Sequence, residues 1–513
     1  MTVTRRMSYF NLPFVIVALL IPFAHGQAQA IKEQAAASNQ KPEKQADAKR
    51  EEKNEEIEDL KTKVEQLRSL VEQQQRALDQ MQKRLDDTEG RDGSAALVSS
   101  KTDRTVEPRP ASLEVNQVRE SPPTSSQPKA QDKPLVVAGW DKNHAFLRSA
   151  DGSFETFLSG YGQFDLRGYQ SGSHPPNTYL IRRARLSLEG RLERYFDFKV
   201  EGDFADTAGT LLRDFYINIH RVDEFQFRFG QFKEPFSQEE LRSDIYQDFV
   251  ERSLVNNLAP SRSPGLMISG TINKGMFDYQ VGSFTGKGLL STNNNGTPEN
   301  VIRLRLSPWK SSKNFLGKGL AFGGAYAQGR TFGGASVRGL TESRSFTYFV
   351  PDTVNGKIIR ANGEVTLLLG PATIRAEYDQ TNQSRDNLGP GGRNLPGVVA
   401  KGYMAQATYM LTGETKPDAG AVTPKHNLFA DEGGRPGLGA WELKFRYADL
   451  QISDGTTKSN RANTFYFGPN WYMNRFVKYL LDVGIERYHD PARSPNAGDK
   501  NFFVILSRIQ VAF

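Results

Sequence analysis

The chain has no cysteine, so it holds no disulfide and no thiolate metal site. It has little apolar content, 37%, and a mean hydropathy of −0.56. After the N-terminus no apolar run is long enough for a membrane-spanning helix. That shortage does not exclude a membrane protein, because barrel strands alternate polar and apolar residues and average out as water-soluble. Basic clusters are missing too. The net charge is +7, but both signs are spread along the chain, which argues against a nucleic-acid partner. Histidines are few, and none sits in a metal or catalytic pairing such as H-E-x-x-H. The four Gly-Gly doublets do not lead from a strand into a helix with a lysine, so they are not phosphate loops. No metal, cofactor or enzymatic activity is expected.

What is present falls into blocks. Arg5 and Arg6 precede the short apolar run FNLPFVIVALLIPFA, and Ala28-Gln29-Ala30 fits a small-x-small cleavage site, with Ala24-His25-Gly26 as a second option. Residues 1–30 therefore read as an export signal, with no cysteine after it for lipid attachment. Residues 31–54 are polar and charged. Across 55–89, Ile57, Leu60, Val64, Leu67, Val71, Gln74, Leu78, Met81 and Leu85 are spaced alternately three and four apart. That is a coiled-coil seam, whose Ile/Val and Leu alternation leans toward a dimer. Residues 90–134 contain EPRPAS and ESPPTSSQPK and read as a flexible linker.

From about residue 135 the period becomes two. In RRARLSLEG, Ala184, Leu186 and Leu188 oppose Arg183, Arg185, Ser187 and Glu189. In VIRLRLSPW, Ile302, Leu304 and Leu306 oppose Arg303 and Arg305. In WELKFRYAD, Trp441, Leu443, Phe445 and Tyr447 oppose Glu442, Lys444 and Arg446. Each strand carries one apolar and one charged face. Short links alternate with long polar ones, and aromatics sit near strand ends on the apolar face (Tyr378, Trp441, Tyr447, Trp471, Tyr479, Phe513). This is the rhythm of a transmembrane barrel, lipid outside and water inside. Sixteen candidate strands between Phe154 and Phe513 predict an all-β, antiparallel, sixteen-stranded barrel over 135–513. The final NFFVILSRIQVAF places Phe503, Ile505, Ile509, Val511 and Phe513 on one parity. It is expected to pair with the first strand, since an open edge would otherwise be left.

The segments GYGQFDLRGY, RRARLSLEG, YFDFKVEGDF, LRDFYINI, FRFGQFKEPFSQEEL, VERSLVN, LAPSRSPGLMISG and GAWELKFRYADL occur in this order. Together they resemble the phosphate-selective porin O and P family over most of residues 150–513. The resemblance implies a homotrimer of outer-membrane barrels with inward-folded loops, passive diffusion of small hydrophilic solutes, wall arginines that conduct anions, and lysines or arginines that bind phosphate at the constriction. It also implies that Phe513 is the terminal signal read by the barrel assembly machinery. The wall bases are Arg183, Arg185, Arg228, Arg303, Arg305, Arg360, Arg375, Lys444 and Arg446. The long segment 237–264 is the candidate constriction loop, with Glu239, Glu240, Arg242, Asp244, Asp248, Glu251, Arg252 and Arg262. Its acids outnumber its bases and it has no lysine, which departs from a strongly basic eyelet. The family folds a periplasmic segment equivalent to 413–439 into the lumen. The plainer reading of these charges is cross-strand ion pairing. A second function remains: the coil and linker tether the outer membrane to the cell wall, with the barrel as anchor.

Overall fold

The computed structural model describes residues 136–513 except 142–143, 173–174, 207–208, 210, 293–296, 430–435 and 456–458. The signal (1–30), polar segment (31–54), coil (55–89) and linker (90–134) lie outside the described residues.

The main sheet has eighteen strands. Two of them, Val136–Asp141 and His144–Ser149, form an N-terminal hairpin, and the other sixteen form the barrel. These are β1 (Phe154–Tyr169), β2 (Thr178–Leu192), β3 (Phe196–Asp203), β4 (Leu212–Val222), β5 (Phe225–Lys233), β6 (Arg262–Ile272), β7 (Phe277–Phe284) and β8 (Glu299–Leu306). They continue with β9 (Leu320–Ala335), β10 (Thr353–Leu369), β11 (Ala372–Arg385), β12 (Leu395–Met410), β13 (Ala440–Ser453), β14 (Ser459–Tyr472), β15 (Val477–Tyr488) and β16 (Asn501–Ala512). Each pairs antiparallel with its chain neighbour, and β16 pairs with β1. Closure extends to the last residue: Phe513 and Gly160 exchange both backbone hydrogen bonds at 2.9 Å. Below that point the hairpin strand His144–Ser149 takes over as partner of β1, opposite residues 155–158.

One end of the barrel has mostly tight turns, such as Gly370-Pro371 between β10 and β11. Gly370 has φ +62°, the left-handed region that a glycine enters without a side-chain clash. The other end carries the longer loops. The outer wall is apolar, with Leu186, Phe215, Phe467 and Phe503 among its exposed side chains. Trp441 and Trp471 stack on it at 5.3 Å between centroids, as expected of an interfacial girdle.

The inner wall differs from the simple alternation in one respect. Toward the loop end the inward faces of β12, β13 and β16 are apolar, and β16 is apolar on both faces. Val398, Ala400, Met404, Leu450, Ile452, Phe502, Val504 and Leu506 point inward. Phe249, Val250, Leu254, Val255 and Leu258 of the β5–β6 loop pack on them, as do Tyr348 and Phe349 of the β9–β10 loop. Two loops are thus held inside the barrel by a hydrophobic core, and burying such side chains is worth about 1.5–3 kcal/mol each.

Candidate functional site

The site is the lumen and the loop that crosses it. Residues 234–261 link β5 to β6. Arg262, expected in this loop, is the first residue of β6. The loop opens with the short helix α1 (Gln238–Leu241), whose N-cap Ser237 Oγ accepts the Glu240 N–H at 3.1 Å. The capping hydroxyl fixes the direction in which the chain enters the lumen. Gln238 Nε2 donates to the Ala376 carbonyl at 2.9 Å, and its Oε1 accepts Thr366 Oγ1 at 2.7 Å, seating the helix on β10 and β11. On the far side Lys478 Nζ of β15 donates to the Ile245 and Gln247 carbonyls at 2.8 and 3.0 Å. The loop therefore spans the barrel from wall to wall.

Three loop carboxylates lock onto wall and loop bases. Asp244 lies 2.8 Å from Arg185, 3.2 Å from Arg183 and 2.6 Å from Arg252. Asp248 lies 2.6 Å from Lys416, 3.2 Å from Arg242 and 3.5 Å from Arg375, and accepts Gln406 Nε2 at 2.9 Å. Glu251 accepts Arg167 and Arg182 and lies 3.5 Å from Arg508. Burial pushes all three carboxyls up, but the surrounding cations outweigh it and hold them well below the usual carboxylate range. The cations responsible are chiefly Arg183, Arg252 and Arg185 for Asp244, Arg242 and Lys416 for Asp248, and Arg182 and Arg167 for Glu251.

The remaining candidates are paired as well. Arg303 bonds Glu364, and Arg360 bonds Glu299. Arg305 and Arg375 meet Asp418 at 3.0 and 2.7 Å. Lys444 Nζ donates to Asn470 at 2.6 Å and to the Asp248 carbonyl at 2.9 Å, and pairs with Asp482. Arg446 bonds Glu342, lies 3.3 Å from Glu239 and stacks over Phe249 at 4.1 Å. Arg262 holds Asp214 at 2.7 Å and Glu201 at 3.3 Å, and Glu240 sits 3.4 Å from Arg252. Arg228 is the exception among the wall candidates. It has no carboxylate among the described residues and lies over the Tyr216 ring at 4.3 Å.

Several lumen residues were not singled out from the sequence. Lys416 and Asp418 belong to the long β12–β13 connection, which returns into the lumen and puts its charges on Asp248 and on Arg305 and Arg375. Glu342 comes from the β9–β10 loop. Arg167 and Arg508 share Asp165, at 2.7 and 2.6 Å. The strand parity of Arg167 and Arg508 was a usable signal. Of the three loop residues, Glu342 had none, and Lys416 and Asp418 had only the inward-folded segment that the family resemblance implies.

A closed sixteen-stranded barrel with an apolar exterior, a charged lumen and an inturned loop defines the porin class of outer-membrane channels. Residues 155–513 match the family described as phosphate-selective porin O and P, and the chain belongs to that family. It is an outer-membrane porin, and its family and barrel point to a channel rather than an enzyme. Among curated relatives, Porin O of Pseudomonas aeruginosa is 22% identical over 431 residues, 74% of this chain and 91% of that protein. Among solved structures, the anion-selective porin from Comamonas acidovorans is 12% identical with a TM-score of 0.46, over 70% of this chain and all of that one. The trimer form of OmpT from Vibrio cholerae has the same identity, TM-score and coverage.

Proposed function

We propose that the barrel is a passive diffusion channel for small hydrophilic solutes and ions, with a weak preference for anions and poor retention of phosphate. One observation carries this reading. All the wall bases named above except Arg228 face a carboxylate within the lumen, so little positive potential is left over for a permeating anion. Arginine forks suit phosphate oxygens, but a phosphate needs several donors converging away from carboxylates, because like charges raise its cost. Single-channel recording with reversal potentials in a salt gradient tests this. Chloride current should fall only slightly when millimolar phosphate is added. Block at micromolar phosphate would sink the reading.

Three further features belong to this proposal. The functional unit is a homotrimer. The tight-turn end and the N-terminal segments face the periplasm, and the assembly machinery reads Phe513. The coil and linker tether the barrel to the cell wall. Support for tethering comes from the hairpin at Val136–Ser149, which joins the chain to β1 at the tight-turn end. Cosedimentation of fragment 31–134 with cell wall is its test.

A further inference from the structure

The outer wall changes character in one sector. On β9 to β14 an aromatic layer, Tyr326, Tyr378, Tyr403, Tyr447 and Phe465, faces outward. The register places a second outward layer two residues nearer the loop end on the same strands. That layer is polar: Gln328, Gln380, Lys401, Asp449 and Asn463. The Tyr326 and Tyr378 hydroxyls donate into it, to Gln328 at 3.1 Å and Gln380 at 3.0 Å. Above it come Arg330, with Lys357 directly opposite, then Asn382, Gln451 and Arg461. On β15, Arg487 stands opposite Asn463. Among the described residues, the wall on the other side of the barrel shows no such layers. There Phe164, Tyr179, Ile181, Phe204 and Phe503 are exposed up to the loops.

The polar sector is electrically unbalanced. Asp449 is already held by Arg461 at 2.9 Å. Lys357, Lys401 and Arg487 are exposed, and their side chains bond no described residue. Between the tops of β10, β11 and β12 an outward cleft of about 270 Å³ is lined by Lys357, Arg385, Asn382 and Ser384, with Ile359 and Val399 as its apolar part; Asp386 is the acid at its edge. Cations, amides and hydroxyls stand above an aromatic girdle, and an apolar wall lies below. That order matches a membrane lipid whose head group carries phosphate and hydroxyl groups over acyl chains.

We infer that this sector of β9–β15 is a binding surface for a phosphorylated glycolipid of the leaflet at the loop end. Lys357, Lys401 and Arg487 contact its phosphates, and the amide layer contacts its sugar hydroxyls.

The test uses the purified full-length protein in detergent, with retention of bisphosphorylated lipid A and of dephosphorylated lipid A measured by native mass spectrometry. The wild type should retain the phosphorylated form preferentially. K357Q/K401Q/R487Q should lose about a hundredfold in affinity for it, at roughly fivefold per base, with pore conductance unchanged. Equal retention of both lipids by the wild type would overturn the inference, and that comparison stands even if the triple variant does not assemble. Unchanged retention by the variant would overturn it as well. So would a fall in oligomer mass without loss of lipid, which would make the face a contact between copies of the chain.

Discussion

Asp248→Asn is the most informative single change in the lumen. Asp248 is fully buried and holds Lys416, Arg242 and Arg375, while its backbone carbonyl accepts Lys444 and Asn470 at 2.9 Å. Asparagine keeps the backbone contacts and removes the charge. Three buried cations then share one carboxylate fewer, and breaking a buried pair from one side costs about 3–5 kcal/mol. The barrel's backbone ladder is untouched, so the cost falls on attachment of the constriction loop and of the 413–439 segment. At about 1.4 kcal/mol per tenfold, the detached population should rise between about a hundredfold and a few thousandfold. The lumen also gains one positive charge. Single-channel recording should show noisier current and a reversal potential shifted toward anions, and protease should nick the loop faster. Wild-type noise, selectivity and protease resistance would refute the reasoning. They would mean that Phe249, Leu254 and their apolar neighbours hold the loop without the ionic clamp.

R303A/R305A should shift the reversal potential toward cations, because Glu364 loses its partner and Asp418 one of its two; salt-gradient recording checks this. Phe249→Ala removes a ring packed under Arg446 and within the lumen core, and should cost about 3–5 kcal/mol of loop attachment, read by hydrogen exchange over 245–258. The pH profile follows from Asp244, Asp248 and Glu251, whose folded carboxyls sit well below their unfolded values. Their contribution is fully present above the unfolded value of about 4 and is lost only as pH falls through the lower folded one. Attachment of this loop, read by protease nicking, should therefore hold from pH 8 to about pH 5 and weaken only in stronger acid. A chain starting at Leu135 behind an export signal should insert and conduct, as expected if the Pro-containing composition of 90–134 makes a linker; failure to assemble where the full chain succeeds would refute this.

The sequence by itself determined the wall. Period two is a local property, so the strands, their inward bases and the pairing of the last strand with the first could be read from RRARLSLEG, VIRLRLSPW and NFFVILSRIQVAF. Period two does not reveal direction where both faces are apolar. Phe502, Val504 and Leu506 look like more outer wall until the loops that cover them from inside are seen. Counter-ions were less legible still. Arg185 and Asp244 are 59 residues apart, Arg446 and Glu342 are 104 apart, and Lys416 and Asp248 are 168 apart. An excess of acids in a loop gives no sign of the bases they will meet. Only closure of the barrel, which returns three separate loops into one lumen, decides which carboxylate neutralises which arginine. Coulomb energy depends on distance in space, and the chain order of a barrel leaves that distance open until the sheet has closed.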